Sequence, residues 1–123
     1  MTRSRRRLGE FGERLAVQHL ESRGYRIHQR NFRTRAGEID IIAEGDGVLA
    51  FVEVRARRGG GMGSAVESLT PAKRRRLVAL AEAYGQDRPD LPPQRRIDLI
   101  ALDLAPDGRL LSLQHIEGAV SAD

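Results

Sequence analysis

Asp40 and Glu53 are the two residues of this sequence whose types and spacing best suit them to do chemistry together. They stand on either side of Asp46-Gly47, inside two runs of apolar and β-branched residues. Asp-Gly between such runs is a strong signal for a hairpin with a two-residue turn. Counting outward from that turn places Asp40 opposite Glu53 on neighbouring strands.

Two carboxylates in that position point to a metal ion. Facing Cβ atoms of a hairpin lie about 5 Å apart, and like charges at that distance destabilise the pair. A hard divalent cation between them would relieve the repulsion, because carboxylate oxygens suit Mg²⁺ and Mn²⁺. Mg²⁺ is commonly held by one or two protein carboxylates together with water and substrate phosphate. The pair therefore predicts a site for phosphodiester cleavage.

The same count assigns the other residues of the hairpin to faces. Ile42 faces Phe51 and Glu38 faces Arg55, and side chains alternate along each strand. One face would then be charged and the other apolar: Glu38, Asp40, Glu53 and Arg55 against Ile39, Ile41, Val52 and Val54. An ordinary hairpin with a polar solvent face and a Glu38–Arg55 ion pair explains the pattern equally well. A three-residue loop would separate the two acids, so both interpretations stay open here.

Composition narrows the class of protein. The 123 residues suit one domain, and 40% hydrophobic residues suffice for one core. There is no cysteine, which excludes disulfides, thiolate zinc sites and cysteine nucleophiles. The net charge of +4 points to a polyanionic partner such as nucleic acid. No stretch reads as a signal peptide or a membrane span, so we expect a cytoplasmic protein.

The remaining elements alternate between helical and strand patterns. The predicted order is helix, three strands, helix, two strands, which indicates an α/β fold with a mixed sheet flanked by helices. We expect a basic flexible arm at residues 1–7, one domain at 8–117 and a tail at 118–123. The predicted elements are a helix at 8–23 ended by Gly24, a strand at 25–35, the hairpin at 37–57, a helix from Thr70-Pro71 to Tyr84, a buried strand at 95–104 and an edge strand at 110–116.

Several other polar residues are candidates for function. Glu13 lies beside the apolar stripe of the first helix and could point toward the charged hairpin face or simply into solvent. Cations crowd the first turns of the second helix, where they oppose the helix dipole and favour a nearby anion. Asp98 interrupts the buried strand, and its expected partner is Arg96 or a basic residue elsewhere. His19, His28 and His115 show no metal-ligand spacing. The candidate nucleic-acid contacts are Arg33, Arg35, Arg57, Arg58, Lys73, Arg74 and Arg75.

Taken together, these motifs resemble one protein family. The matching segments are Gly12-Glu13 with Ala16, residues 37–42, residues 51–55, Lys73, and Arg96-Ile97-Asp98. They look like the YraN family, which is similar in fold to restriction endonucleases and archaeal Holliday junction resolvases. The resemblance covers about residues 8–117. It implies a PD-(D/E)xK-type nuclease core with a sheet flanked by helices, often dimeric. DNA is the expected substrate, with branched recombination or repair intermediates among the candidates.

The resemblance also implies roles for individual residues. Asp40 and Glu53 would bind Mg²⁺ or Mn²⁺, with the Val54 carbonyl as a further ligand. Glu13 would be an accessory acid, and Glu38 belongs to the same motif. The lysine of the pattern is here Arg55, which cannot lose its proton and can only stabilise charge or orient phosphate.

The arginine leaves three possibilities for the chemistry. The metal alone activates water, or Lys73 supplies the missing ammonium, or the protein binds nucleic acid without cutting it. The leading hypothesis is a metal-dependent DNA endonuclease. The alternatives are a non-catalytic nucleic-acid-binding protein with the nuclease fold and a module that binds an acidic protein.

Overall fold

The computed structural model describes residues 3–59, 67–86 and 88–120. In these residues the chain forms two helices and five strands in the predicted order. The elements are α1 (Arg3–Ser22), β1 (Arg26–Thr34), β2 (Gly37–Gly45), β3 (Val48–Arg58), α2 (Pro71–Gln86), β4 (Gln94–Leu104) and β5 (Leu110–Val120). Neither described helix is long and apolar enough to cross a membrane.

The five strands form one mixed sheet in the order β1-β2-β3-β4-β5. β3 and β4 are parallel, and the other neighbours are antiparallel. A parallel pair needs a crossover connection, and the segment that contains α2 supplies it. α1 packs on β1, β2 and β3, whereas α2 packs on β2 and β4. This confirms the α/β fold with a mixed, helix-flanked sheet, and it is consistent with a nuclease-like core.

Each face of the sheet has its own hydrophobic core. On the α1 side, Ala16 and Leu20 pack against residues such as Val52 and Ile100. On the α2 side, Leu77, Leu80, Ala81 and Tyr84 pack against Phe51, Leu99 and their neighbours. The central strands are apolar on both faces because a helix covers each one. The near-continuous apolar run of β4 therefore predicts its burial correctly.

The ends of the first and last elements differ from the prediction. α1 begins at Arg3, so the segment expected to be a flexible arm is helical from that residue onward. Arginine is a good helix former, and no Gly or Pro separates residues 3–7 from the predicted helix. β5 continues to Val120, past the expected domain end at 117. Residues 121–123 of the predicted tail lie outside the described part of the chain.

The hairpin turn forms where the sequence predicts it. Asp46 and Gly47 have φ angles of 51° and 75°, and a type I′ turn requires positive φ at both central residues. Gly45 lies opposite Val48, and Ile42 lies opposite Phe51, as predicted. The Asp46-Gly47 turn therefore sets the register of β2 and β3 close to the turn.

Farther from the turn, the predicted faces are partly wrong. Ile39 packs in the α2-side core, whereas Ile41 packs in the α1-side core. The two residues were expected to share a face. β2 departs from regular alternation at Asp40, next to Asn31 of β1, whose φ of 55° marks an irregular backbone. Strict alternation fails here because the backbone is distorted.

Candidate active site

The predicted acids lie where β2 separates from β3. In the described residues, pairing between these strands runs from Gly45 opposite Val48 to Ile41 opposite Val52 and ends there. The expected backbone pairs of Asp40 with Glu53 and of Glu38 with Arg55 are therefore absent from the ladder. A cavity of about 770 Å³ opens beside these residues and is lined by side chains from both helices and from β1, β2 and β3.

The two acids meet through their side chains. Asp40 Oδ2 accepts a hydrogen bond from the Val54 backbone N–H at 2.8 Å. The carboxyl group of Asp40 is also in hydrogen-bond contact with that of Glu53. The structure thus brings the predicted pair together, although the predicted backbone pairing is not what holds it. One N–H of β3, next in sequence to Glu53, fixes the position of Asp40.

This proximity changes the protonation of the pair. Burial, the hydrogen bond to Glu53 and the charge of Glu53 raise the pKa of Asp40 to about 8. The Val54 N–H and the Arg55 charge oppose this rise but do not cancel it. Two partly buried carboxylates in contact need a proton or a cation between them. Near neutral pH without metal, the pair therefore holds one proton.

The donor set fits one class of metal ion. In the part of the chain that the structure describes, no three His, Cys, Asp or Glu side chains form a group that could hold an ion. A structural zinc ion needs four such protein ligands. Mg²⁺ and Mn²⁺ accept fewer, since Mg²⁺ usually keeps waters and binds substrate phosphate. Asp40 and Glu53, together with the carbonyl of Val54, the residue after Glu53, suit that kind of ion.

Glu13 of α1 lines the same cavity. Asn31 joins it to Glu38: with its amide turned to satisfy both neighbours, the Asn31 nitrogen donates to Glu38 Oε1 at 2.8 Å and to Glu13 Oε2 at 3.3 Å. Burial and the charges of Asp40 and Glu38 raise the pKa of Glu13, against the opposing effects of Arg30 and Asn31. The predicted accessory acid thus lies close to the Asp40–Glu53 pair.

Arg55 does not form the ion pair with Glu38 that the ordinary-hairpin interpretation expected. Its Nη2 lies 3.2 Å from Glu53 Oε2, on its own strand, and Glu38 lies 3.5 Å from Arg33 instead. The expected pair fails because β2 and β3 are no longer paired at this level. The Arg55 Nε atom is buried and has no hydrogen-bond partner among the described residues. The guanidinium is therefore held at the cavity with an unused donor.

Only some of the predicted basic residues reach the cavity. Arg33 and Lys73 line it, together with Arg30 and Arg76, which the sequence interpretation missed. The other predicted nucleic-acid contacts are not among the lining residues: Arg35, Arg57, Arg58, Arg74 and Arg75. Arg74 instead donates from Nε to the Leu69 carbonyl at 2.8 Å. These five residues remain predictions for contacts outside the cavity.

A comparison with protein families identifies the family that carries these motifs. The profile of the family described as "Uncharacterised protein family UPF0102" matches residues 12–102. The chain belongs to the UPF0102 family. This match confirms the YraN resemblance drawn from the motifs. It spans every acidic residue assigned to the cavity except Glu10.

Individual UPF0102 proteins are similar to this chain over most of its length. A UPF0102 protein of Roseiflexus castenholzii is 48% identical over 122 residues, covering 98% of each chain. One from Symbiobacterium thermophilum is 50% identical over 105 residues, covering 85% of this chain and 89% of its own. One from Chloroflexus aurantiacus is 46% identical and covers both chains fully.

The sequence analysis missed two cations of this UPF0102 chain that line the cavity, Arg30 and Arg76. Only Arg76 has a sequence signal that could have identified it. Arg76 follows Lys73 by three residues, and residues at that spacing share one face of a helix. Its approach also depends on Gly37 of β2, where an added Cβ would lie 2.5 Å from Arg76 Cδ. Arg30 gives no comparable signal, because its distance of 3.7 Å to Glu13 results from tertiary packing of α1 against β1.

Asp98 belongs to a separate network in the UPF0102 chain. It is fully buried, and Arg96 donates to both of its oxygens at 2.8 and 2.9 Å, which confirms the predicted partner. His115 Nε2 lies 2.8 Å from Asp98, and the Gly118 N–H donates to it at 3.0 Å. Burial alone would raise the pKa of Asp98, but these hydrogen bonds outweigh it and lower the pKa. The network joins β4 to β5.

Proposed function

We propose that this UPF0102 chain is a divalent-metal-dependent endonuclease that cleaves phosphodiester bonds in DNA, branched recombination and repair intermediates included. The contact between the carboxyl groups of Asp40 and Glu53 carries the proposal. It lies beside a cavity large enough for part of a nucleotide chain and lined by cations from three elements. Perturbed acids in a cleft are typical of functional sites.

Each part of the cavity has a role in this proposal. Asp40, Glu53 and the Val54 carbonyl would hold Mg²⁺ or Mn²⁺, which when bound supplies Lewis-acid stabilisation of the scissile phosphate. Arg33 and Lys73 bind the phosphates on either side and fix their orientation. Arg55 remains protonated, so it stabilises negative charge and cannot act as a general base.

A second candidate function follows from Arg55. The PD-(D/E)xK pattern has a lysine at this position, and an arginine already engaged with Glu53 at 3.2 Å could hold phosphate without assisting hydrolysis. The protein would then bind nucleic acid and not cut it. Lys73, the single lysine of the sequence, lines the same cavity and could provide the missing ammonium. The two functions therefore differ in turnover and share the binding surface.

A cleavage assay separates the two functions. The full chain is incubated with four-way junction, flap and linear DNA, with and without Mn²⁺. We expect metal-dependent cleavage that Asp40→Asn and Glu53→Gln abolish. Glu21→Gln, which alters an exposed acid on α1 away from the cavity, is the matched control and should cleave normally.

The other outcomes of this assay are equally informative. Cleavage that persists in both Asp40→Asn and Glu53→Gln comes from a contaminating nuclease and contradicts the proposal. DNA binding without cleavage of any substrate supports the non-catalytic function. For a phosphate-binding protein, the affinity should fall steeply as salt rises. Absence of DNA binding at low salt contradicts both functions.

A further inference from the structure

β5 forms one edge of the sheet, and no described strand or helix lies along its outer side. In the described residues it pairs only with β4. The helices pack mainly elsewhere, α1 on β1 to β3 and α2 on β2 and β4. Leu110 and Leu111 are 40% and 55% exposed, and they are the exposed large hydrophobic residues of the described chain. Both lie at the start of β5.

The two edges of the sheet differ in composition. The β1 edge carries Arg26, Arg30 and Arg33, and the left-handed Asn31 interrupts its regular backbone. Charges and irregularities of this kind protect an edge strand against pairing with another chain. From Leu110 to Ile116, β5 has no Lys, Arg, Asp or Glu. The register of β5 against β4 is irregular between Leu110 and Ser112 and between Ile116 and Val120, so its regular, uncharged part is residues 112–116. An uncharged edge strand is a template for strand addition.

The sequence of β5 is complementary to itself in antiparallel orientation. If two copies pair about Leu113, Arg109 of one copy lies opposite Glu117 of the other, and Leu110 lies opposite Ile116. Ser112 lies opposite Gln114 in the same register. Leu111 lies opposite His115, which is the one mixed pair of this register. The other pairs match apolar with apolar, polar with polar and, at both ends, opposite charges. Cross-strand pairs of these kinds stabilise a sheet.

The charges at the ends of the strand are accessible for this pairing. Arg109 and Glu117 have side chains that are 72% and 58% exposed. Within one chain, Arg109 Nε lies 3.9 Å from Asp107 Oδ1, a long distance for an ion pair. Glu117 contacts Arg96 at 3.0 Å. A two-fold axis repeats the Arg109–Glu117 pair twice, as a self-complementary interface requires.

We propose that the β5 edge binds β5 of a second copy of this chain, antiparallel about Leu113, to form a dimer with one continuous ten-stranded sheet. The proposal does not depend on nuclease activity. The axis of such a dimer is perpendicular to the sheet, so both copies of α1 lie on one face. Five strand spacings separate the two β3 strands, about 24 Å at about 4.8 Å each. The two cavities then open toward opposite ends of the sheet.

Sedimentation of the full chain over a range of concentrations tests this dimer. We expect twice the monomer mass at high concentration. Leu111→Lys places a charge on the edge and should weaken the dimer about tenfold or more. Arg109→Glu should weaken it too, because it sets like charges opposite each other. Gln18→Lys adds the same charge on the exposed side of α1 and should leave the dimer intact.

Cysteine cross-linking tests the register itself, since the chain has no cysteine of its own. Ser112 and Gln114 are exposed, so Ser112→Cys and Gln114→Cys should fold normally. Under mild oxidation, a mixture of the two variants should form more disulfide-linked dimer than either alone, whereas Gln18→Cys should form little. A chain that stays monomeric at its highest soluble concentration overturns the proposal. A dimer that is insensitive to Leu111→Lys, or equal cross-linking in all variants, overturns it as well.

Discussion

The carboxylate of Asp40 accepts a hydrogen bond from the backbone N–H of Val54 at 2.8 Å, across the point where β2 and β3 separate. Val54 follows Glu53 in sequence, so this one bond sets the distance between the two acids. Backbone donors are fixed by the strand, and a carboxylate bound to one has little freedom to move away. The pair is thus preorganised, and the two carboxylates repel each other whenever both are ionised.

That repulsion predicts a pH-dependent stability of the metal-free protein. The pKa of Asp40 is raised from 3.8 to about 8 in the folded protein. Because this pKa is raised on folding, the contribution of Asp40 to the unfolding free energy is fully present below about pH 4 and is lost as the pH rises through 8. Asp40→Asn removes the charge, so it should stabilise the metal-free protein at pH 9 by on the order of 1 to 3 kcal/mol.

Urea unfolding of the chelator-treated protein at pH 5 and pH 9 measures this effect. The difference in unfolding free energy between Asp40→Asn and the unmodified chain should be larger at pH 9. Asp107→Asn, which alters an exposed acid, is the control and should show little difference at either pH. Equal differences at both pH values for Asp40→Asn would mean that the pair carries no excess charge.

The contribution of Asp98 to stability should depend on pH in the opposite direction to that of Asp40. Its lowered pKa means that its contribution is present above its ordinary pKa and is lost as pH falls through the folded value. Asp98→Ala leaves the Arg96 guanidinium without its main partner and should cost about 3 to 5 kcal/mol. Thermal unfolding at pH 7 checks the cost. A loss no larger than that of Asp107→Ala would contradict the role of this network.

Close packing of α1 on β3 gives a matched pair of glycine substitutions. A Cβ at Gly12 would lie 2.9 Å from the Cβ of Ala56, whereas a Cβ at Gly9 meets nothing within 4 Å. Gly12→Ala should therefore destabilise the protein by about 1 to 3 kcal/mol through overpacking. Gly9→Ala should stabilise it by about 0.5 to 1 kcal/mol, because alanine favours the helix. Chemical denaturation of both variants shows whether the signs differ as expected.

The basic residues that line the cavity predict how DNA binding depends on salt concentration. Lys73→Ala and Arg76→Ala each remove one cation that lines the cavity. Each should weaken binding and reduce the slope of log affinity against log salt by about 0.9 for duplex DNA. Arg23→Ala, at the exposed end of α1, is the control and should leave the slope unchanged. Fluorescence anisotropy at several salt concentrations gives the slopes, and identical slopes for all three variants would exclude phosphate contacts at the cavity.

The sequence predicts those features that depend on local chemistry. The Asp46-Gly47 turn and its register follow from residues that need positive φ. The start of α2 follows from Thr70, whose Oγ1 accepts a hydrogen bond from the Lys73 N–H at 3.3 Å. The order of strands and helices follows from the spacing of apolar residues and from the Gly and Pro residues between the elements. In each case a few neighbouring residues decide the outcome.

The features that the sequence does not predict depend on distant contacts. The ladder between β2 and β3 ends after Ile41, beside a backbone irregularity at Asn31 of another strand. Arg76 reaches the cavity because α2 lies over Gly37. The spacing of three residues from Lys73 places Arg76 on the same face of α2, but no local pattern encodes either tertiary contact. The acids were therefore predicted to meet by strand register, whereas a side chain bound to backbone brings them together.

Calorimetric titration with Mn²⁺ tests the central claim most directly. The metal-free full chain at about pH 7 should show one saturable site, with release of the proton that Asp40 holds. Asp40→Asn and Glu53→Gln should each lose most of this binding, and Glu21→Gln should keep it. Unchanged Mn²⁺ binding in Asp40→Asn and Glu53→Gln, or no binding by the unmodified chain, would contradict a metal site shared by these two acids.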